Sequence, residues 1–284
     1  MGSGSIFDVA VIGAGIAGMS ASMYAGRLGL SVAIFGREVG GTITLTDSVE
    51  NYPGFKSISG MGLANMIKEH AEVSNPIFIN EDVSIISRKG KFFMLRAGKK
   101  EWVSKSIIFA TGTKRKKLNA KREINFDKNG VHYCAVCDGQ FYRGKTVAVV
   151  GGADSAIKEA IYLSKIAKKV YIIYRGEKIH PEPINFERVK KIKNIRIITK
   201  TNILEFLGKE FLEKVKLDKK YSNSFELKLN GVFVEIGQTP MTELAKKFGV
   251  KTNKAGEIIV DKMKYIHMQN MLLLSRLLLL LLPA

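Results

Sequence analysis

The sequence predicts an α/β fold built on two nucleotide-binding units with parallel sheets. Three observations carry this expectation. A strand–turn–helix–strand grammar runs through residues 8–36 (DVAVIGAGIAGMSASMYAGRLGLSVAIFG) and again through 145–175 (KTVAVVGGADSAIKEAIYLSKIAKKVYIIYR); each copy has the form of a parallel-sheet unit. The first copy holds a complete glycine fingerprint directly after its opening apolar run. Two further apolar runs, SIIFATGT (106–113) and LNGVFVEIGQTP (229–240), end in glycine turns that can bring backbone close to a ligand.

Taken in chain order, residues 1–5 (MGSGS) read as a flexible lead and are set aside from the fold. The fingerprint is Gly13, Gly15 and Gly18. Its first glycine permits a tight turn, its second lets backbone approach a pyrophosphate, and its third packs helix on sheet. The helix N-terminus then faces the negative charge. An acidic residue expected about 20 positions on, for a ribose, is not clear: Gly36 stands at the strand end, and Glu38 is the nearest substitute. Alternation in KFFMLRA (91–97) and EWVSKSIIF (101–109) predicts antiparallel hairpins. The second copy reads Gly151, Ala153, Ala156, so a methyl narrows the pyrophosphate approach. RIITKTNILEFLGK (196–209) and FLEKVKLD (211–218) predict a similar antiparallel meander in this half.

The formal net charge is +19, from 45 Lys+Arg against 26 Asp+Glu. Basic runs at 114–122 (KRKKLNAKR) and 190–196 (KKIKNIR) lack any zinc-finger or RNA-binding signature beside them. A solvated Lys-rich surface is therefore expected, with no nucleic-acid partner. The first apolar run is broken by glycines and has no cleavage site, so no signal peptide is read. With two cysteines a secreted disulfide framework is not expected, and a cytoplasmic home is. The run LLLSRLLLLLL (272–282) is too short to span a bilayer, so integral membrane association is not expected. A covering helix, a sticky exposed end or a peripheral membrane contact remain the readings of that tail.

Cys134 and Cys137, the only cysteines, stand in HYCAVCDGQF (132–141) with Asp138 touching the second. Zinc needs about four N/S ligands, and two cysteines with four scattered histidines do not suit it; no metal site is expected. A c-type haem would need histidine where Asp138 stands. Two inert buried thiols remain the plain alternative. A C-x-x-C beside a strand–helix unit favours a dithiol/disulfide couple. The short spacing allows one thiol to resolve the mixed disulfide that the other forms, and Asp138 can take and return the proton a leaving thiol needs.

With GAGIAG, VGG (39–41), SVENYPGF (48–55), ATGT, CAVCDG, VVGGADSA and GVFVEIGQTP in that order, residues 6–265 resemble the low-molecular-weight thioredoxin reductases. The resemblance implies two Rossmann-like three-layer domains, one inserted into the other. An FAD-binding domain would comprise residues 1–113 and 235–284, and residues 114–234 an NAD(P)-binding-like domain carrying the redox pair. FAD would lie on Gly13, Gly15 and Gly18, with Gly36 and Glu38 at the strand end and Gly40, Gly41 and Thr42 around it. Asn51 would come near the flavin, with Thr111 and Gly112 closing the site. Gly151, Asp154, Ser155 and Arg175 would serve NADPH or NADH. Cys137 would face the flavin, Cys134 would attack the partner disulfide, and Asp138 would be the proton donor. The partner would be thioredoxin or a thioredoxin-like protein, and the assembly a cytoplasmic homodimer whose inserted domain swings.

Three departures from the family pattern stand out. Ala153 replaces a glycine. In YRGEKIHPE (174–182), only Arg175 matches the basic positions expected for a 2′-phosphate; Gly176 and His180 occupy the others. NADH, weak use of NADPH or reduced ferredoxin thereby become candidate donors. After GEIIVDKMKY (256–265), IHMQNMLLLSRLLLLLLPA replaces the family's Ala-Gly-Asp segment, as a truncation or shifted frame would leave it. Two rival functions follow, a related flavoprotein reductase serving other acceptors and a silent binding protein that has lost FAD.

Overall fold

The computed structural model describes residues 6–260 and 271–272. The lead at 1–5 and nearly all of the 272–282 run lie outside the described residues. The chain divides into two compact units, one holding residues up to Lys114 and again from Thr239, the other spanning Arg115–Gln238.

In the first unit, β1 (Ile6–Ile12), α1 (Ile16–Arg27) and β2 (Val32–Phe35) form the first copy of the repeated grammar. A 3-10 turn (Gly41–Leu45) and α2 (Gly60–Glu72) lead to β3 (Ile77–Ile79), β4 (Val83–Lys89), β5 (Phe92–Ala97), β6 (Lys100–Phe109) and the short β7 (Thr113–Arg115). The sheet order is β3-β2-β1-β6-β5-β4. β1 runs parallel to both β2 and β6, and β4, β5 and β6 form the antiparallel hairpins read from the alternation.

From Val9 onward both faces of β1 are buried, which explains the apolar run Val9–Ile12. Val9 and Val11 pack toward α1 with Ala21 and Ala25. Ala10 and Ile12 join Phe35, Phe93, Leu95 and Phe109 on the opposite face.

The second unit opens with β8 (Val131–His132), the single turn α3 (Ala135–Asp138) and a 3-10 turn (Gly139–Tyr142). Next come β9 (Thr146–Val150), α4 (Asp154–Ser164), β10 (Lys169–Ile173), α5 (Pro183–Lys190) and β11 (Ile195–Ile198). β12 (Ile203–Gly208), β13 (Leu212–Tyr221) and β14 (Ser224–Lys228) precede β15 (Gly231–Val234). The order β11-β10-β9-β15-β8 is parallel throughout, and β12-β13-β14 is a separate antiparallel sheet. Three layers follow from the alternation. Val147, Val149, Val170 and Ile172 meet α4 and α5, whereas Ala148, Val150, Tyr171 and Ile173 meet the antiparallel sheet.

One sequence expectation needs correcting here. The stretch 196–209 is not all meander, because Ile195–Ile198 pairs parallel with β10 and only β12 onward is antiparallel. After β15 the chain forms β16 (Gln238–Pro240), which pairs with β7, then α6 (Glu243–Lys247) and β17 (Met271–Leu272), whose backbone pairs parallel with β6. Among the described residues no helix is long and apolar enough to cross a membrane.

Candidate active site

The first glycine cluster sits where β1, β2 and β6 end. Gly13 has φ +115°, and a Cβ there would run into the Ala110 carbonyl. Gly18, in α1, presses on the Gly13 carbonyl in the same way. Gly15 differs: it caps α1 in extended conformation with no side-chain cap, and the atoms nearest a Cβ would be Gly40 O and Gly41 Cα at 3.8 and 3.9 Å. Two glycines close the packing and the middle one leaves backbone open. That cradle fits a pyrophosphate.

The neighbouring residues read from the sequence gather at the same place. Gly36 abuts Ala14, Gly40 N–H donates to Ala14 O at 2.8 Å, and Gly41 N–H donates to Glu38 O at 3.3 Å. Thr42 donates to Thr113 O at 3.4 Å. Thr111 donates to Met241 O at 2.6 Å, and Met241 N–H donates to Gly112 O at 2.9 Å. Asn51 sits further along, half-buried on the loop before α2. The Glu38 side chain is exposed.

The second glycine turn repeats part of this plan. Gly151 presses on the Glu235 carbonyl as Gly13 does on that of Ala110, and Ala153 caps α4. Here, however, the chain covers its own turn. The Tyr174 ring lies against both Gly152 and Gly176. His180 donates its N–H to Gly152 O at 2.7 Å, and its Nδ1 lies 3.3 Å from the Tyr174 hydroxyl. Asp154 begins α4, and Ser155 follows it. Burial pushes the Asp154 carboxyl up, but hydrogen bonds from Lys158 and Asn185 outweigh this and hold it below the usual range. Arg175 follows β10 beside Tyr174.

Cys134 and Cys137 form a disulfide across the single turn of α3, with Cα atoms 5.4 Å apart. Cys134 caps the turn, and its sulfur accepts from Cys137 N–H at 3.1 Å. Cys134 is 7% exposed while Cys137 is exposed, the reverse of the access expected for an attacking Cys134. Beneath the pair, α4 carries Glu159, which accepts from Ala135 N–H at 3.3 Å and from Arg115 at 3.3 Å. Arg115 also pairs with Glu235. Burial pushes the Glu159 carboxyl up against the pull of Arg115, and burial pushes the Arg115 guanidinium down. On the other side His132 links Asp138 and Tyr142.

Sequence reasoning did not assign Arg115, Glu159, Tyr142 or Glu235 to this cluster, and weighed His132 only as a metal ligand. The nearness of His132 to Cys134 was the one available signal. The other partners arrive through the fold.

Comparison with known proteins decides the family. The model of the pyridine nucleotide-disulphide oxidoreductases matches residues 7–271. This chain belongs to that family. A thioredoxin reductase of Mycoplasma genitalium is 39% identical over 235 residues, covering 82% of this chain and 75% of that one. One of Bacillus subtilis is 37% identical over 263 residues, covering 91% and 82%. Among solved structures, the Lactococcus lactis thioredoxin reductase superposes with a TM-score of 0.89 at 31% identity, covering 95% of this chain and 91% of that one. The T. acidophilum thioredoxin reductase gives a TM-score of 0.88 at 33% identity, covering 94% of this chain and 89% of that one. Within the family the chain groups with the thioredoxin reductases, and a flavin cofactor and a pyridine-nucleotide donor are what that membership implies.

Proposed function

We propose that the chain is an FAD-dependent thioredoxin-disulfide reductase acting through the Cys134–Cys137 couple. The observation that carries this reading is the disulfide itself, closed across one turn with Asp138 at its end, in a member of the disulphide oxidoreductase family. Gly13, Gly15, Gly18, Gly36, Gly40, Gly41, Thr42, Thr111 and Gly112 would hold FAD, with Glu38 and Asn51 at the margins of its site. Bound flavin supplies the two electrons that reduce the disulfide.

Exchange with the target then belongs to the protein's own groups. Cys134 sulfur bonds to one target sulfur, the target disulfide breaks, and the released target thiolate takes a proton. Cys137 sulfur then attacks Cys134, re-forming the disulfide and releasing the second target thiol. The N–H of Cys137 favours the thiolate form of Cys134, which supports Cys134 as attacker despite its burial. Asp138 takes the thiol proton and returns it to the leaving thiolate. The target is a thioredoxin-like disulfide protein, and the chain works as a cytoplasmic homodimer.

At the second turn Gly151, Asp154, Ser155 and Arg175 would serve a pyridine nucleotide. Gly176 and His180 stand where further basic contacts to a 2′-phosphate are expected, so charge-paired recognition of that phosphate is weak. NADPH is therefore expected to hold little advantage over NADH.

The first measurement is the visible spectrum of the purified chain before and after added FAD, where a flavin band near one per chain is expected. Cys134→Ser should keep that band and lose thioredoxin reduction; full activity in this variant would end the dithiol reading. Cys137→Ser should trap a mixed disulfide with thioredoxin. Trapping by Cys134→Ser instead would exchange the two roles.

A further inference from the structure

His132 is buried, at 4% exposure. Its Nδ1 lies 3.0 Å from Asp138 Oδ2, its Nε2 lies 2.6 Å from the Tyr142 hydroxyl, and the Phe233 ring stacks on it with centroids 5.3 Å apart. Side chains from β8, α3 and the following 3-10 turn thus form one line of hydrogen bonds that ends at the acid beside Cys137. Chemistry sets its direction. Burial pushes His132 down against the pull of Asp138, which favours the neutral ring. Burial, with Asp138 adding to it, leaves the Tyr142 phenol pushed up to about 12, so it stays a donor. A neutral imidazole that accepts at Nε2 carries its proton at Nδ1, facing the carboxylate.

We propose that His132 is the positioning residue of the dithiol's proton carrier: it donates Nδ1–H to Asp138 Oδ2, fixes the carboxylate plane and leaves Oδ1 to carry the thiol proton, while Tyr142 fixes the tautomer. The inference rests on the reading of Asp138 as that carrier. In the step it serves, a cysteine S–H passes its proton to Oδ1 as its sulfur bonds to the target sulfur. The target S–S bond breaks, and the same proton goes to the released thiolate. His132 and Tyr142 gain and lose no electrons.

Among the described residues, Lys145 Nζ lies over the Tyr142 ring, 5.5 Å from its centre, and acids act on the rest of the line. Asp127, in the loop before β8, acts on His132 together with Asp138. Glu159 on α4 senses Asp138 and is itself paired with Arg115. His132→Gln keeps one donor and one acceptor and leaves these neighbours in place; His132→Leu removes both.

The test uses the full-length chain with its dithiol reduced chemically and the reductant removed. Its single-turnover oxidation by thioredoxin disulfide is followed in stopped flow from acid to neutral pH. This readout requires neither a donor nor flavin turnover. His132→Leu is expected to slow exchange roughly tenfold across the profile, because the carboxylate has lost the donor that fixes its plane. His132→Gln, which supplies a donor again, should restore the rate. Tyr142→Phe, which removes one oxygen from a packed ring, should slow exchange by less.

His132→Leu and Tyr142→Phe profiles that match wild type, with Asp138→Asn slow, would overturn the inference and leave the Asp138 reading standing. An Asp138→Asn rate equal to wild type would instead remove the Asp138 reading itself. Should His132→Leu fail to fold, Tyr142→Phe decides alone, an unchanged profile counting against the proposal.

Discussion

At the residue scale, the same added methyl group has opposite expected consequences at two glycines. Gly13→Ala places a Cβ against the Ala110 carbonyl at a φ of +115°, where an L side chain is strained. It should destabilise the fold by about 2 kcal/mol or more, seen as a lower denaturant midpoint. Gly15→Ala meets nothing closer than 3.8 Å, so its denaturation curve should match wild type while its affinity for FAD falls. Flavin titration and urea unfolding of both variants separate the two roles; equal stability loss in each would refute them. The glycine turn before α1 and the pairing of Cys134 with Cys137 were legible because each uses a residue type with a restricted use at a restricted spacing. Tyr142 was not, since its partnership with His132 depends on how β8, α3 and the turn after it stack.

At the element scale, the two strand–helix–strand copies followed directly from period and glycine placement. The boundary between β11 and β12 did not. The chain turns there at Lys200, with φ +53° and its N–H donated to Gly176 O at 2.8 Å, in a stretch with neither glycine nor proline to mark the break. Two strands of different sheets therefore read as one ribbon. Below α3, Arg115 serves two buried carboxylates, Glu159 and Glu235. Arg115→Met should cost about 3–5 kcal/mol in urea unfolding, as uncompensated buried charge does, and adding Glu159→Gln should recover part of the loss.

Glu159 also predicts a pH slope. Its folded-state proton affinity is raised, chiefly by burial, so between its unfolded and folded values the native state binds more protons than the unfolded one. Its contribution to stability then falls as pH rises through that window. Unfolding of Glu159→Gln should lack this component; an unaltered slope would assign it elsewhere.

At the scale of the whole molecule, the parallel-sheet class was legible twice over, because each copy of the grammar carries its own core. The chain's +19 charge was equally plain and far less informative, since a solvated surface and an acidic partner leave the same composition. The second unit has one further property. Its entry and exit are tied together: Arg115 pairs with Glu235, and Lys116 N–H donates to Gly237 O at 3.0 Å. A stretch whose two ends meet can be lifted out without unravelling. A fragment encoding residues 115–238 alone should fold cooperatively and form its Cys134–Cys137 disulfide, as circular dichroism and thiol counting would report; a fragment without a cooperative transition would refute this. In terms of gene architecture, a single contiguous stretch of sequence, residues 115–238, specifies the dithiol together with Asp138, His132 and Tyr142. A single recombination event, with one point of entry, suffices to move that chemistry into a different host protein.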